Sequence, residues 1–185
     1  MQTAVKRDCV SVNDYIDGEQ ISEIKHEFIG GTLYGMSGAS REHNQIALNI
    51  ASALRSHLKG KPCRVYMSDI KVRLQLAGED VFYYPDVMVG CDPRDTNRHF
   101  LQHPTLLVEV SSESTERLDR REKRLAYQTI EALQEYLIVA QERAEVTLFR
   151  RANQWIAETY TGIEKSLSVQ SISFPMLLGT IYEGL

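Results

Sequence analysis

Residues Thr105 to Val110 form a nearly continuous apolar run, Leu106-Leu107-Val108-Glu109-Val110, broken by one acid and ending at Ser111. A strand with one wet face alternates apolar and polar residues, so a run of this kind reads as a strand covered on both faces. A chain that contains it must build layers on either side of a sheet. Arg64 to Met67, Ile70 to Leu76 and Val81 to Val89 read as strands before it. Glu135 to Ala140, Val146 to Arg150 and Gln154 to Tyr160 read as strands after it, with a short closing segment. From Ser40, the residues His43, Ala47, Ile50, Leu54 and Leu58 recur at intervals of three and four, which predicts a helix that Gly60 and Pro62 stop. A second, highly charged helix is expected over Thr115 to Ile130, with Leu118, Leu125 and Ala126 facing inward. Polar residues 1–25 read as a leading helix or arm, and His26 to Met36 as a hairpin around Gly30-Gly31. Helix, strands, helix, strands in that order implies an α/β fold with a mixed β-sheet flanked by helices.

Two acids stand where a buried strand should be apolar. Asp86 follows Pro85 inside the stretch Val81 to Val89, and Glu109 interrupts the run described above. Strand alternation puts Asp86 on the side of Tyr84 and Met88. A buried carboxylate without partners costs several kcal/mol, so each must be compensated by a cation or by hydrogen bonds. Proline is poorly tolerated within a central strand, and Pro85 therefore marks a bend that turns Asp86 toward a cleft. Two such acids in neighbouring strands suggest one shared metal ion, whereas a single one would suggest a structural ion pair. Downstream, spacing of four places Asp119, Lys123 and Tyr127 on one helical stripe. Taken alone, that stripe reads as an exposed Asp119–Lys123 pair on a solvated face. Lying just beyond Glu109, Lys123 can instead serve a phosphate or a nucleophilic water.

The bulk properties bound what these acids can do. With 185 residues, 43% hydrophobic and 25% charged, the chain is expected to form one domain over 1–185, with residues 1–14 a loose arm. A net charge of -4 argues against a protein that coats nucleic acid, but leaves room for a metal-dependent nuclease. The cysteines Cys9, Cys63 and Cys91 show no spacing that suggests a disulfide framework or a zinc knuckle. That usage, and the lack of an apolar stretch of about 18 residues or a signal-peptide core, leads to the expectation of a reducing, cytoplasmic location.

Taken in order, Pro85-Asp86-Val87-Met88-Val89, Val108-Glu109-Val110-Ser111-Ser112 with Ser114-Thr115, Asp119 with Lys123 and Tyr127, and Glu135-Tyr136-Leu137-Ile138-Val139 closely resemble the Uma-two family. This family belongs to the restriction-endonuclease-like PD-(D/E)xK superfamily. Glu27 to Leu33 and His43 are similar to its N-terminal pattern, and the resemblance runs from about residue 15 to the end. It implies a restriction-endonuclease-like fold in which Asp86, Glu109 and the backbone carbonyl of Val110 bind Mg²⁺ or Mn²⁺. It further implies hydrolysis of DNA phosphodiester bonds, with Lys123 supplying the lysine that the superfamily pattern usually places at the position of Ser111. Glu27 enters as a further acid near the metal. His43, Asp119, Ser111 and Tyr127 are accessory candidates, and a homodimer is expected because cutting both strands calls for two sites.

Other residues carry less. His99 and His103 have helical spacing but flank turn-like sequence and precede Pro104, which disfavours metal binding without a third ligand. Arg120, Arg121 and Arg124 form a basic run that would contact phosphates only beside a nucleic-acid cleft. Two alternatives to a DNA endonuclease remain open at this point: a non-catalytic binding or regulatory module on the same fold, and an enzyme acting on a small phosphoester.

Overall fold

The computed structural model describes residues 9–112 and 122–185. Serines start the first two helices. Ser11 Oγ accepts the Asp14 N–H ahead of α1 (Val12–Glu19), and Ser40 Oγ accepts the His43 N–H ahead of α2 (Arg41–His57). Each satisfies an N–H group that the first helical turn leaves without a partner. Between the helices, β1 (His26–Ile29) and β2 (Thr32–Gly35) pair in the expected hairpin. Its two-residue loop, Gly30-Gly31, has φ of +52° and +86°, a double left-handed turn that glycine enters without a Cβ penalty.

The chain continues through β3 (Arg64–Met67), β4 (Lys71–Leu76), β5 (Glu79–Tyr83), β6 (Val87–Gly90), β7 (Phe100–Leu101) and β8 (Pro104–Ser111). After the short α3 (Arg124–Tyr127) come β9 (Glu135–Ala140), β10 (Glu145–Arg150), β11 (Ala157–Thr161), β12 (Ser166–Val169), β13 (Phe174–Leu177) and α4 (Leu178–Ile181). The expected mixed sheet is six-stranded, in the order β11-β10-β9-β8-β6-β3, with β8 parallel to β9. A second sheet, β2-β1-β5-β4-β7, lies apart from it, and β12 and β13 form a separate hairpin.

The apolar run of β8 is central, and both its faces are covered as anticipated. Leu106, Val108 and Val110 pack with Ile46, Ile50 and Leu54 of α2 and with the closing hairpin. Leu107 packs on the other face with Met88, Tyr127, Tyr136 and residues of β4 and β5. A third cluster, Tyr15, Phe28, Phe82 and Phe100, fixes α1 against the five-stranded sheet.

Three expectations need correction. The stretch Val81 to Val89 is not one strand. It pairs with β4 up to Tyr83 and with β3 and β8 from Val87, so the chain changes sheets at Tyr84-Pro85-Asp86. Of the expected second helix, residues 115–121, Leu118 among them, lie outside those described, and in the remainder Leu125 faces solvent while Ala126 is buried. Finally, Cys63 and Cys91 form a disulfide although they are 28 residues apart. The antiparallel register pairs Arg64 with Gly90, and the next step sets the two cysteines opposite each other. Linear spacing carries no trace of such a cross-strand pair. The pairing predicts that Cys9, which is exposed, is alkylated in the native protein while Cys63 and Cys91 react only after reduction. Mass spectrometry reads the outcome, and three alkyl groups on unreduced native protein would refute the pairing.

Candidate active site

The change of sheet at Tyr84-Pro85-Asp86 places the first acid. Val87 pairs with Val108, so one further step of the same register sets Asp86 beside Glu109. Asp86 occupies the end of β6 as a side chain would occupy a missing strand: its Oδ2 accepts the Val110 N–H at 2.7 Å. The bonded N–H belongs to the peptide group that links Glu109 to Val110. An extended residue points its N–H and C=O the same way, so the Val110 carbonyl faces the Asp86 side too. The other Asp86 oxygen lies 2.9 Å from His43 Nε2. His43 stands in the first turn of α2, where the Ser40 cap fixes its backbone.

The contact with His43 alters the expected orientation. Val87 and Val89 face α2 and Met88 faces away, so simple alternation would send Asp86 away as well. The bend at Pro85 breaks that alternation and lets the carboxylate meet α2.

Glu109 points to the opposite face, into a buried cluster. Its Oε1 accepts the Tyr127 hydroxyl at 2.7 Å and lies 3.2 Å from Lys123 Nζ. The same ammonium is 3.0 Å from Glu27 Oε1 and 5.4 Å from the centre of the Tyr83 ring. Lys123 therefore bridges the two sheets, through Glu27 on β1 and Glu109 on β8. Of the stripe that spacing placed on a solvated face, Lys123 and Tyr127 are buried, Lys123 being only 7% exposed. Spacing of four was right about Lys123 and Tyr127, which reach the same carboxylate oxygen. Glu27, on β1 of the hairpin, is 5% exposed. Its Oε1 is buried without an aligned hydrogen bond, so the ion pair with Lys123 is its compensation.

Burial pushes the Tyr127 phenol well above its ordinary range, reinforced by the Glu109 charge, so it stays protonated and donates. Burial likewise raises Tyr83 to about 12, with Glu27 adding to the shift and Lys123 opposing it.

The remaining candidates separate cleanly. Ser111 ends β8, buried, and its carbonyl accepts the Gln141 N–H. Asp119, with Arg120 and Arg121, lies outside the described residues. Arg124 stacks over Phe149 with its guanidinium 5.3 Å from the ring centre. His103 pairs with Asp95, and His99 Nα donates to Asn97. Sequence reasoning missed the Tyr83 face under Lys123, the His43–Asp86 pairing across 43 residues, and the use of Asp86 to cap a β8 amide. Only alternation in β5 hinted at the first.

A six-stranded mixed sheet with α2 on one face and a second sheet packed on the other is an α/β fold shared with a structure described as a putative nuclease. A crystal structure described as a putative nuclease belonging to DUF820 from Anabaena variabilis has this fold: the TM-score is 0.66, covering 87% of this chain and 91% of that one, at 16% identity. The family Uma2, described as "Putative restriction endonuclease", matches residues 12–177, and the chain belongs to it. An uncharacterised protein of Synechocystis sp., slr1290, is 34% identical over 95% of this chain and 93% of its own length. A second from the same organism, sll1609, is 31% identical over 80% of this chain and 86% of its own length.

Two predictions follow from the buried cluster. Replacing Lys123 with Met leaves Glu27 and Glu109 facing each other in the interior and should cost about 3–5 kcal/mol in urea unfolding. Adding Glu27→Gln should return part of that loss, and a fully additive double mutant would deny that the two side chains interact. The buried phenols set a second expectation. Above pH ~10 an unfolded tyrosine loses its proton while Tyr83 and Tyr127 keep theirs, so the folded state binds more protons and stability falls as pH rises. The fall should be shallower in Tyr127→Phe; identical slopes would contradict the assignment.

Proposed function

We propose that this protein is a divalent-metal-dependent endonuclease that hydrolyses DNA phosphodiester bonds, with Mg²⁺ or Mn²⁺ held by Asp86, Glu109 and the Val110 carbonyl. The observation that carries the reading is that Asp86 binds the peptide linking Glu109 to Val110. Val110 directly follows Glu109, and the extended strand turns its carbonyl toward the Asp86 side, so one acid and a backbone oxygen lie next to the residue that carries the other acid. Among the described residues no three His, Cys, Asp or Glu side chains gather closely enough to hold a metal by themselves. Mg²⁺ fits donors of this chemistry, since it binds through one or two carboxylates and takes its remaining ligands from water and substrate phosphate.

On this reading a bound cation supplies Lewis-acid polarisation of the scissile phosphate. The chain's own residues supply position. His43 holds Asp86 on the α2 side, while Tyr127 and Lys123 hold Glu109 on the other, so sharing one ion requires the Glu109 side chain to turn out of that cluster toward Asp86. Lys123 is surrounded by Glu27, Glu109 and the Tyr83 ring, so it acts here as a positioning residue for Glu109. Cleavage of both strands of a duplex calls for two copies of the site, and a two-fold homodimer is the arrangement we propose.

The test combines binding with turnover. Calorimetry should detect Mn²⁺ binding to the wild type and its loss in Asp86→Asn and Glu109→Gln. With Mg²⁺ or Mn²⁺, wild-type protein should nick plasmid or branched DNA, and each variant should lose at least a hundredfold in rate while keeping its fold by circular dichroism. Metal binding without cleavage by the wild type would favour a non-catalytic role on the same fold. Cleavage by both variants at the wild-type rate would exclude this site as its source.

A further inference from the structure

A cavity of about 310 Å³ lies against the strand crossing, lined among others by Glu19, Lys25, Asp69, Lys71, Tyr84 and His99. Lys71, the first residue of β4, is 5% exposed. Its Nζ lies 5.1 Å from the centre of the Tyr84 ring and 5.9 Å from that of Tyr15. Among the described residues no carboxylate comes within ion-pair distance of it. Glu19 favours its charged form from farther away, but Glu19 is already committed. One of its oxygens meets His26 Nδ1, and the other accepts the Tyr84 hydroxyl and the His26 N–H.

Ring faces compensate a buried ammonium only partly, worth roughly 2 kcal/mol at best, against a desolvation penalty of several. Burial accordingly pulls the Lys71 amine below the ordinary lysine range. A second cation shares the cavity. Lys25 Nζ is 5.8 Å from the same Tyr84 ring and pairs with the exposed Asp69 at the rim. Lys25 also donates to the Ser68 carbonyl, while the Ser68 N–H donates to the backbone carbonyl of Asp86. The cavity wall is thus joined to the segment that carries Asp86.

We propose that this cavity is a phosphate-binding subsite, with Lys71 as its principal contact and Lys25 as its second. A phosphate there supplies the counter-ion that Lys71 lacks. On the nuclease reading, the phosphate belongs to a nucleic-acid strand held beside the bond to be cut. That attribution rests on the proposed function, whereas the anion site does not.

The experiment is run in EDTA, so that neither metal nor cleavage enters. Binding of inorganic phosphate and of a 5′-phosphorylated thymidine dinucleotide is measured by calorimetry for the wild type, Lys71→Met and Lys71→Arg. Methionine fills the lysine stem and removes only the charge, and thermal unfolding checks that this variant folds. The wild type should bind, Lys71→Met should lose tenfold or more in affinity, and Lys71→Arg should retain most of it. No binding of either probe to the wild type, or equal binding by Lys71→Met, overturns the proposal. Tighter binding of the dinucleotide assigns the subsite to a strand; equal affinity for both probes assigns it to free phosphate. Since the readout is metal-free, a failure of the nuclease reading leaves the result interpretable, and the reverse holds too.

Discussion

The ammonium of Lys123, held between Glu27 of one sheet and Glu109 of the other, is the contact on which the rest of the structure depends. Each acid alone would be a liability in the interior, and removing the cation between them would leave both uncompensated. Buried charge of this kind is poor value as pure stabilisation, since apolar residues of the same volume often serve as well. Its effect is to specify: only one arrangement of the two sheets brings Glu27 and Glu109 to the same nitrogen. Tyr127, one helical turn beyond Lys123, completes that arrangement with a phenol that burial keeps protonated.

The second organising constraint is the strand crossing at Tyr84-Pro85-Asp86. Proline removes a donor and bends the path, which lets a single extended segment serve both sheets. The same bend frees Asp86 from alternation and delivers it to the Val110 amide and to His43. Fold and candidate site are therefore consequences of one local feature. The two carboxylates leave the sheet on different sides, Asp86 toward α2 and Glu109 toward Lys123 and Tyr127.

Much of this is legible in the residues themselves. The unbroken apolar run of β8 implies a doubly covered central strand, Ser40 with its three-and-four spacing implies α2, and Gly30-Gly31 implies the tight hairpin. Asp86 and Glu109 stand out because strand burial makes an acid expensive. What sequence could not supply were relations between distant segments. Period-two patterning cannot reveal that Val81 to Val89 changes sheets, because both halves are equally apolar. The pairing of Cys63 with Cys91 depends on a register fixed only when β3 meets β6. Glu27 and Lys123 look solvated from their local surroundings, and each is buried because the other is there.

The parallel pairing of β8 with β9 has a consequence for how the chain reaches this state. Parallel neighbours cannot be joined by a tight turn, so the entropy of closing a long connection must be met before their ladder forms. One edge of the central strand therefore stays open until β9 arrives, whereas β6 can pair with the other edge earlier. Topologies rich in such distant pairings fold slowly and leave sticky edges exposed meanwhile. In this chain the central strand of the core gains its two neighbours from opposite directions along the sequence, β6 upstream and β9 downstream.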